Sequence, residues 1–275
     1  MKTKWLLQED IFQENIDELQ KTIVSQGMEC KFIKYAPFDK HQYFYDFYHE
    51  DDCVVFYGSL NLSRKIQRCT EWIPGSWCYL KKFECTYYYS KFGEFLLNNR
   101  YIMLPYGELI RQKEFLYETL GNSECLFVRP SSGFKSFTGT VIHIDEFDRK
   151  IENFGAYDIE DHHVVVVSEP KNIWQEWRLF VVDKQVVTGS LYKESRKISH
   201  SPNVPNEVID FGNSIANLWQ PDPAFALDVC RTNSGELKLV EINSFSSSGF
   251  YACDKNKLVK SISEMALKEW KEYKT

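Results

Sequence analysis

Two carboxylates and an amide near the end of the chain carry its densest chemistry. Asp228 lies within Phe225-Ala226-Leu227-Asp228-Val229, and Glu241 and Asn243 lie within Leu239-Val240-Glu241-Ile242-Asn243. Both stretches, Ala224 to Cys230 and Glu236 to Ile242, read as strands, and Asn233-Ser234-Gly235 between them reads as a turn. If Arg231 pairs with Glu236 across that turn, Asp228 stands opposite Leu239. Side chains on one strand face recur every two residues. Asp228, Glu241 and Asn243 then share a face on neighbouring strands. Burying two carboxylates among apolar residues is costly without partners. A divalent cation removes that cost, and an all-oxygen ligand set suits magnesium. The alternative is a half-exposed sheet with both acids in water.

A second group lies upstream. Leu126-Phe127-Val128 and Thr140 to Ile144 read as strands, joined by a loop from Arg129 to Gly139 rich in Gly, Ser and one Lys. The N–H groups and hydroxyls of such a flap, with the Lys135 ammonium, can face a polyphosphate. An ordinary long hairpin with a solvated Lys135 fits the same residues. The loop is not a P-loop, because no G-x-x-x-x-G-K-[ST] occurs. His143, His162 and His163 lack metal-ligand spacing and read as strand caps. Ser131-Ser132 has no nucleophile elbow around it. Lys255, Lys257 and Lys260 read as a solvated helix face. Tyr87-Tyr88-Tyr89 has no basic interleaving, so a nucleic-acid platform is not expected.

The elements that must position these groups follow from periodicity and punctuation. Trp5-Leu6-Leu7 reads as a strand, Asp10 to Gln26 as a helix capped by Asp10 and stopped at Gly27, and Met28 to Tyr35 and Val54 to Tyr57 as strands. This β-α-β-β order predicts a small sheet packed on helices. Asn61 is expected to cap a helix through Cys69, and Pro74-Gly75 to form a turn. Helices are expected over Phe83 to Asn98, Glu108 to Leu120, Pro205 to Trp219 and Lys257 to Tyr273. Strands are expected over Tyr101 to Leu104 and His162 to Glu169. Trp177 to Val182 and Gln185 to Tyr192 should form a hairpin turning at Asp183-Lys184.

Composition supports a folded protein with one or two cores. Of 275 residues, 43% are hydrophobic and 16% aromatic, which excludes a disordered or fibrous chain. The net charge of -6 argues against a general nucleic-acid binder. The eight cysteines form no C-x-x-C pair, and no signal peptide is evident at Met1 to Trp5. They are expected to be reduced and mostly buried in a cytoplasmic protein. The longest aliphatic run, Val164 to Val167, is too short to span a membrane.

Taken in order, these segments resemble the ATP-grasp superfamily over about residues 85–250. The matching pieces are Phe127-Val128-Arg129-Pro130 with the Gly133 to Gly139 flap, Val164 to Ser168 followed by Glu176-Trp177-Arg178, and Ala226-Leu227-Asp228 with Val240-Glu241-Ile242-Asn243. The resemblance implies an α+β fold of two lobes clasping ATP (residues 83–275), preceded by a small α/β domain (residues 1–82). The nucleotide flap would span about 126–144 and the metal hairpin about 224–243.

It also implies roles for single residues. Relatives place a lysine where Arg129 stands, so the chain resembles the branch with arginine there; a fork of donors then meets the phosphate. Lys135 would be a second phosphate contact, and Lys91 the nearest match to a lysine on an earlier helix, with Lys81 and Lys82 competing for that role. Val166, Val167, Ser168 and Glu169 would edge the adenine, and Glu176 the ribose. Asp228, Glu241 and Asn243 would hold Mg2+ against the phosphates. Many ligases of this kind carry an arginine two residues before the metal aspartate, where this chain has Ala226. Arg178, Arg196 or Arg231 would then supply that charge.

The implied reaction phosphorylates a carboxylate of a small molecule or peptide with ATP. An amine, or sometimes a thiol, then attacks the acyl phosphate and displaces phosphate, so the products are ADP, phosphate and an amide-like bond. The acceptor is expected around Ser190 to Ser199, including Tyr192, Lys193, Ser195 and Arg196. A regulatory ATP-binding module or a kinase on the same fold is the alternative. No nucleic acid or membrane is expected as partner, and oligomeric state is not readable.

Overall fold

The computed structural model describes residues 2–11, 13–35, 44–134, 136–155, 159–195 and 197–275. In chain order the elements are β1 (Lys4–Gln8), α1 (Gln13–Ser25), β2 (Glu29–Ile33), β3 (Cys53–Tyr57), α2 (Leu60–Cys69) and β4 (Ile73–Gly75). Next come α3 (Cys85–Phe92), β5 (Tyr101–Pro105), α4 (Lys113–Leu120), β6 (Cys125–Pro130), β7 (Thr140–His143), α5 (Phe147–Gly155) and β8 (Val164–Ser168). The chain ends with β9 (Ile173–Val182), β10 (Gln185–Glu194), β11 (Lys197–Ser201), α6 (Asn206–Leu218), β12 (Ala224–Thr232), β13 (Leu237–Ser244) and α7 (Lys255–Lys274).

These elements group into two compact units, each discontinuous in sequence. Unit 1 comprises Met1–Tyr79, Gln175–Val229 and Glu241–Thr275; unit 2 comprises Leu80–Trp174 and Cys230–Val240.

Unit 1 holds a parallel sheet of order β2-β1-β3-β4 and a second sheet of order β11-β10-β9-β12-β13. The strands read as β1, β2 and β3 are present, as is the helix between the first two. Asp10 does not cap that helix; its carboxylate accepts from Gln8 Nε2 at 2.9 Å instead. Ser59, not Asn61, caps α2, because its hydroxyl accepts from Leu62 N at 3.3 Å. Ile73-Pro74-Gly75 extends the sheet through β4 rather than forming a free turn, pairing with β3. The β9–β10 hairpin turns as expected on Asp183 and Lys184, both with positive φ. One core of this unit joins Trp5 and Leu7 of β1, Phe180 and Val182 of β9, Ala224 and Ala226 of β12, Phe245 and Phe250, and Leu258 and Ile262 of α7. Lys255 is not solvated: it is buried at the start of α7, with Nζ 2.7 Å from Glu18.

Unit 2 is built on an antiparallel sheet of order β5-β8-β6-β7. One face packs Ile102, Leu104, Leu126, Val128, Val165 and Val167 against Leu116 and Leu120 of α4 and Phe147 and Ile151 of α5. Periodicity gives no helix over α5, yet one forms there. The helix expected over Phe83 to Asn98 is shorter, because Gly93 at φ 49 ends α3. The helix expected from Glu108 likewise starts only at Lys113. All eight cysteines are free, and five are buried. No helix among the described residues is long and apolar enough to cross a membrane.

Candidate active site

Alternation along β9 and β12 sets the site of unit 1. Phe180, Val182, Ala224 and Ala226 lie in one core cluster. Two residues further along the same strand faces stand Arg178 and Asp228. The charged group therefore sits where an apolar face ends. Arg178 and Asp228 are 9% and 2% exposed, so neither charge is met by bulk water. They meet as a forked pair, Nε to Oδ1 at 2.8 Å and Nη2 to Oδ2 at 2.7 Å. Burial works against the guanidinium's charge, but Asp228 outweighs it and holds the Arg178 pKa above its usual value.

The three sequence-predicted metal residues come together here. Asn243 Nδ2 donates to Asp228 Oδ2 at 3.3 Å and to Glu241 Oε1 at 3.1 Å. The amide thus bridges two carboxylates on one face, as the strand alternation requires. The hairpin closes with Thr232 N donating to Glu236 O at 2.9 Å, and Gly235 takes φ 90. Two carboxylates with one Arg178 leave a net negative charge that suits a hard divalent cation, and Asn243 would add its amide oxygen by turning over from the orientation in which its nitrogen meets both acids.

Around this group lie residues that spacing alone does not mark. A bulge between Leu191 and Lys193 lets Tyr192 and Lys193 both reach Glu176 of β9. The Tyr192 hydroxyl donates to Glu176 Oε2 at 2.8 Å, and Lys193 Nζ lies 2.8 Å from Oε1. Tyr192 and Tyr251 stack at 5.1 Å, and the Arg178 guanidinium lies 5.8 and 5.1 Å from their ring centres. Tyr251 comes from the segment after β13, at φ 49, and no periodic signal places it. Its phenol pKa is raised by burial first; Arg178 opposes that, and Asp228 and Glu241 add to it.

Ala226 has no exposure and lies in the apolar core, so an arginine there would put its charge among aromatic rings. Of the arginines expected to replace it, Arg178 reaches Asp228. Arg231 does not: three residues along β12 it takes the other strand face, and its guanidinium bonds Gly235 O at 3.3 Å. Arg196 lies outside the described residues. Ser190, expected near an acceptor, is buried, its hydroxyl within donating distance of Leu191 O at 2.9 Å and Ser201 O at 3.1 Å and accepting from Ala252 N at 3.2 Å.

Unit 2 carries the second group on the sheet face opposite its core. Antiparallel register sets Tyr101, Ser168 and Phe127 in one row, and Met103, Val166 and Arg129 in the next. Arg129 is 9% exposed. Tyr101, Met103 and Phe127 are only half-buried. The Ser168 hydroxyl is buried without a hydrogen-bond partner. A flat half-open patch with one buried guanidinium is a fit for a purine nucleotide. Val167 turns its side chain into the core, so only its backbone is available. Glu169 accepts from Asn122 at 2.7 Å and Lys171 at 2.8 Å; the Lys171 bond is the main cause of its lowered pKa.

The flap is held at its C-terminal end. Phe137 is buried and stacks on Phe154 of α5 at 4.2 Å. Gly139 passes so close to the sheet that a Cβ there would lie 2.7 Å from the Phe127 ring and 3.3 Å from Arg129 Cβ. Lys135 lies outside the described residues. Lys91 is exposed, its ammonium 5.9 Å from the Tyr87 ring centre. The structure does not bring Lys91 to the Arg129 face.

Fold and site together define an ATP-grasp protein of the α+β class. Residues 110–261 match the family described as ATP-grasp domain, R2K clade family 2, and the chain belongs to that family. Solved structures share the fold at low identity. They include D-alanine–D-alanine ligase from Bacillus anthracis, with 12% identity, 99% of each chain covered and a TM-score of 0.66. D-cycloserine synthetase DcsG aligns at 12% identity over 96% of this chain and 99% of its own, with a TM-score of 0.65. The ATP-grasp ligase PsnB, complexed with precursor peptide PsnA2 and AMPPNP, aligns at 12% over 96% and 97%, with a TM-score of 0.61. No curated protein matches the chain by sequence.

Proposed function

We propose that this chain is an ATP-dependent ligase. It would transfer the terminal phosphoryl group of ATP to a substrate carboxylate, after which an amine or thiol displaces phosphate and ADP is released. The observation that carries this reading is the constellation Arg178–Asp228–Asn243–Glu241 on one sheet face.

In this reading Asp228, Glu241 and Asn243 would hold Mg2+, which would supply positive charge to offset that of the phosphates during transfer. Arg129 stands in place of the lysine of other branches and contacts a phosphate that is not transferred, with Lys135 at the transferring one. The half-open face of Tyr101, Phe127 and Ser168 takes the base, and the β8 backbone from Val166 to Glu169 reads its edge. Glu176 takes the ribose, oriented by Tyr192 and Lys193. Arg178 supplies the charge missing at Ala226 and steadies the acyl phosphate. The substrate is a small carboxylate or a peptide; PsnB, a ligase of the same fold, is described with a precursor peptide. Eight free thiols suit a reducing cytoplasm.

The test is an ADP-release screen over amino acids and peptides with magnesium present, alongside thermal unfolding with ATP. A ligand specific to the folded state raises the melting temperature. No shift at millimolar ATP would remove the nucleotide reading. A shift with phosphorylated product but no amide would replace the ligase with a kinase.

A further inference from the structure

The helix α3 starts against the strand end that follows Arg129. Cys85 N donates to Ser131 O at 2.9 Å, and Thr86 N to Ser131 Oγ at 3.2 Å. From there the helix presents its residues 100° apart, so Tyr89 and Lys91 differ by roughly 200° and face opposite ways. Tyr89 is the inward one. It is 2% exposed, and its ring meets Tyr101 edge-on at 4.8 Å. Tyr101 pairs with Ser168 on the sheet face that carries Arg129. Lys91 is exposed beside Tyr87.

The Tyr89 hydroxyl is buried and makes no hydrogen bond of ordinary geometry, with the Cys85 thiol and the Asn98 amide near enough to act on it. Leaving such a group unpaired is costly, and a phenylalanine would fill the same space without that cost. Burial is the main cause of its raised pKa and the Cys85 thiol adds to it, while Arg129 and Asn98 act the other way. The phenol therefore stays protonated at neutral pH. A guanidinium has donors only, so Arg129 cannot accept the phenol proton. An oxyanion accepts from both.

We propose that the Tyr89 hydroxyl is a donor to the nucleotide phosphate that Arg129 holds, and that Tyr89, not Lys91, is the working residue of α3. This rests on the nucleotide reading above and names a residue of that site. Phosphate oxygen would then satisfy a buried donor that the protein alone leaves unpaired, in a shielded place where charge-assisted bonds are strong.

The test compares full-length wild type, Tyr89→Phe, Lys91→Ala and Tyr87→Phe by titration with ADP and magnesium, and by thermal unfolding without nucleotide. Tyr89→Phe should bind about tenfold more weakly, the loss of one hydrogen bond to a charged group. Its melting temperature without nucleotide should equal or exceed wild type, because only an unpaired hydroxyl is removed. Lys91→Ala and Tyr87→Phe should bind as wild type. Wild-type affinity in Tyr89→Phe, a loss carried by Lys91→Ala, or a lower nucleotide-free melting temperature in Tyr89→Phe would each overturn the proposal. If wild type itself fails to bind, the nucleotide reading falls with it, which separates the two failures.

Discussion

Replacing Arg178 by methionine should separate what the guanidinium does for the fold from what it does for the metal. Its forked bonds to Asp228, at 2.8 and 2.7 Å, are the direct neutralisation of a carboxylate that is 2% exposed. Two unit charges about 4 Å apart attract by roughly 4 kcal/mol at an effective dielectric of about 20. Removing one partner of a buried pair commonly costs about 3–5 kcal/mol, because the other charge is left uncompensated. For a chain of this size that lowers the melting temperature by roughly 6–20 °C. Glu241 adds a second negative charge, linked to Asp228 through Asn243. Magnesium should therefore rescue Arg178→Met more than it stabilises wild type. A site of about 1 mM affinity gives roughly 1.4 kcal/mol at about 10 mM MgCl2. The assay is denaturant or thermal unfolding with and without MgCl2 and no nucleotide. Adding Asp228→Asn to Arg178→Met should recover much of the loss, since the stranded charge goes too. The reasoning is refuted if Arg178→Met costs under about 1 kcal/mol, or if magnesium stabilises both proteins equally.

Other outcomes test the rest of the site. Asp228→Asn or Glu241→Gln should abolish magnesium-dependent ADP release; wild-type turnover in both would move the metal elsewhere. Arg129→Ala should weaken ATP affinity by roughly 2–3 kcal/mol with less effect on turnover, and Arg129→Lys should recover part, as measured by steady-state kinetics in ATP. Gly139→Ala should cost about 1–3 kcal/mol and weaken nucleotide binding, because its Cβ would meet the Phe127 ring at 2.7 Å; an unchanged unfolding midpoint would show that the flap yields. Burial pushes the Cys53 and Cys78 thiols up to about 11 and those of Cys30 and Cys253 up to about 12. With folded pKa values above the unfolded value near 9.0, these thiols contribute stability that is fully present below about pH 9. That stability is lost as pH rises through about 11 and 12, so denaturant midpoints should fall across that alkaline range and not below it.

The grouping of Asp228, Glu241 and Asn243 was legible in the sequence because strands repeat every two residues, so Glu241 and Asn243 had to share a face once β13 was recognised. Arg178 was legible only as one of three arginines. Choosing it requires knowing that β9 lies beside β12, and strand order is not a local property. Tyr251 and Tyr192 show the limit most plainly. Tyr251 stands in a segment with no period, at a positive φ that tyrosine rarely adopts, and Tyr192 reaches Glu176 through a bulge. A bulge shifts side-chain phase by one residue, so simple alternation cannot assign Tyr192 and Lys193 to one carboxylate. Lys91 and Tyr89 fail differently. Both lie on a readable helix, but its apolar face was not, because three consecutive tyrosines give no amphipathic stripe from which to tell inside from out. The family resemblance points to a lysine on this helix, of which Lys91 is the nearest match, whereas burial points to Tyr89. If the proposed site holds phosphate away from water, a group that the fold has already dehydrated is the stronger candidate, and a lysine still in water would pay for desolvation at every turnover.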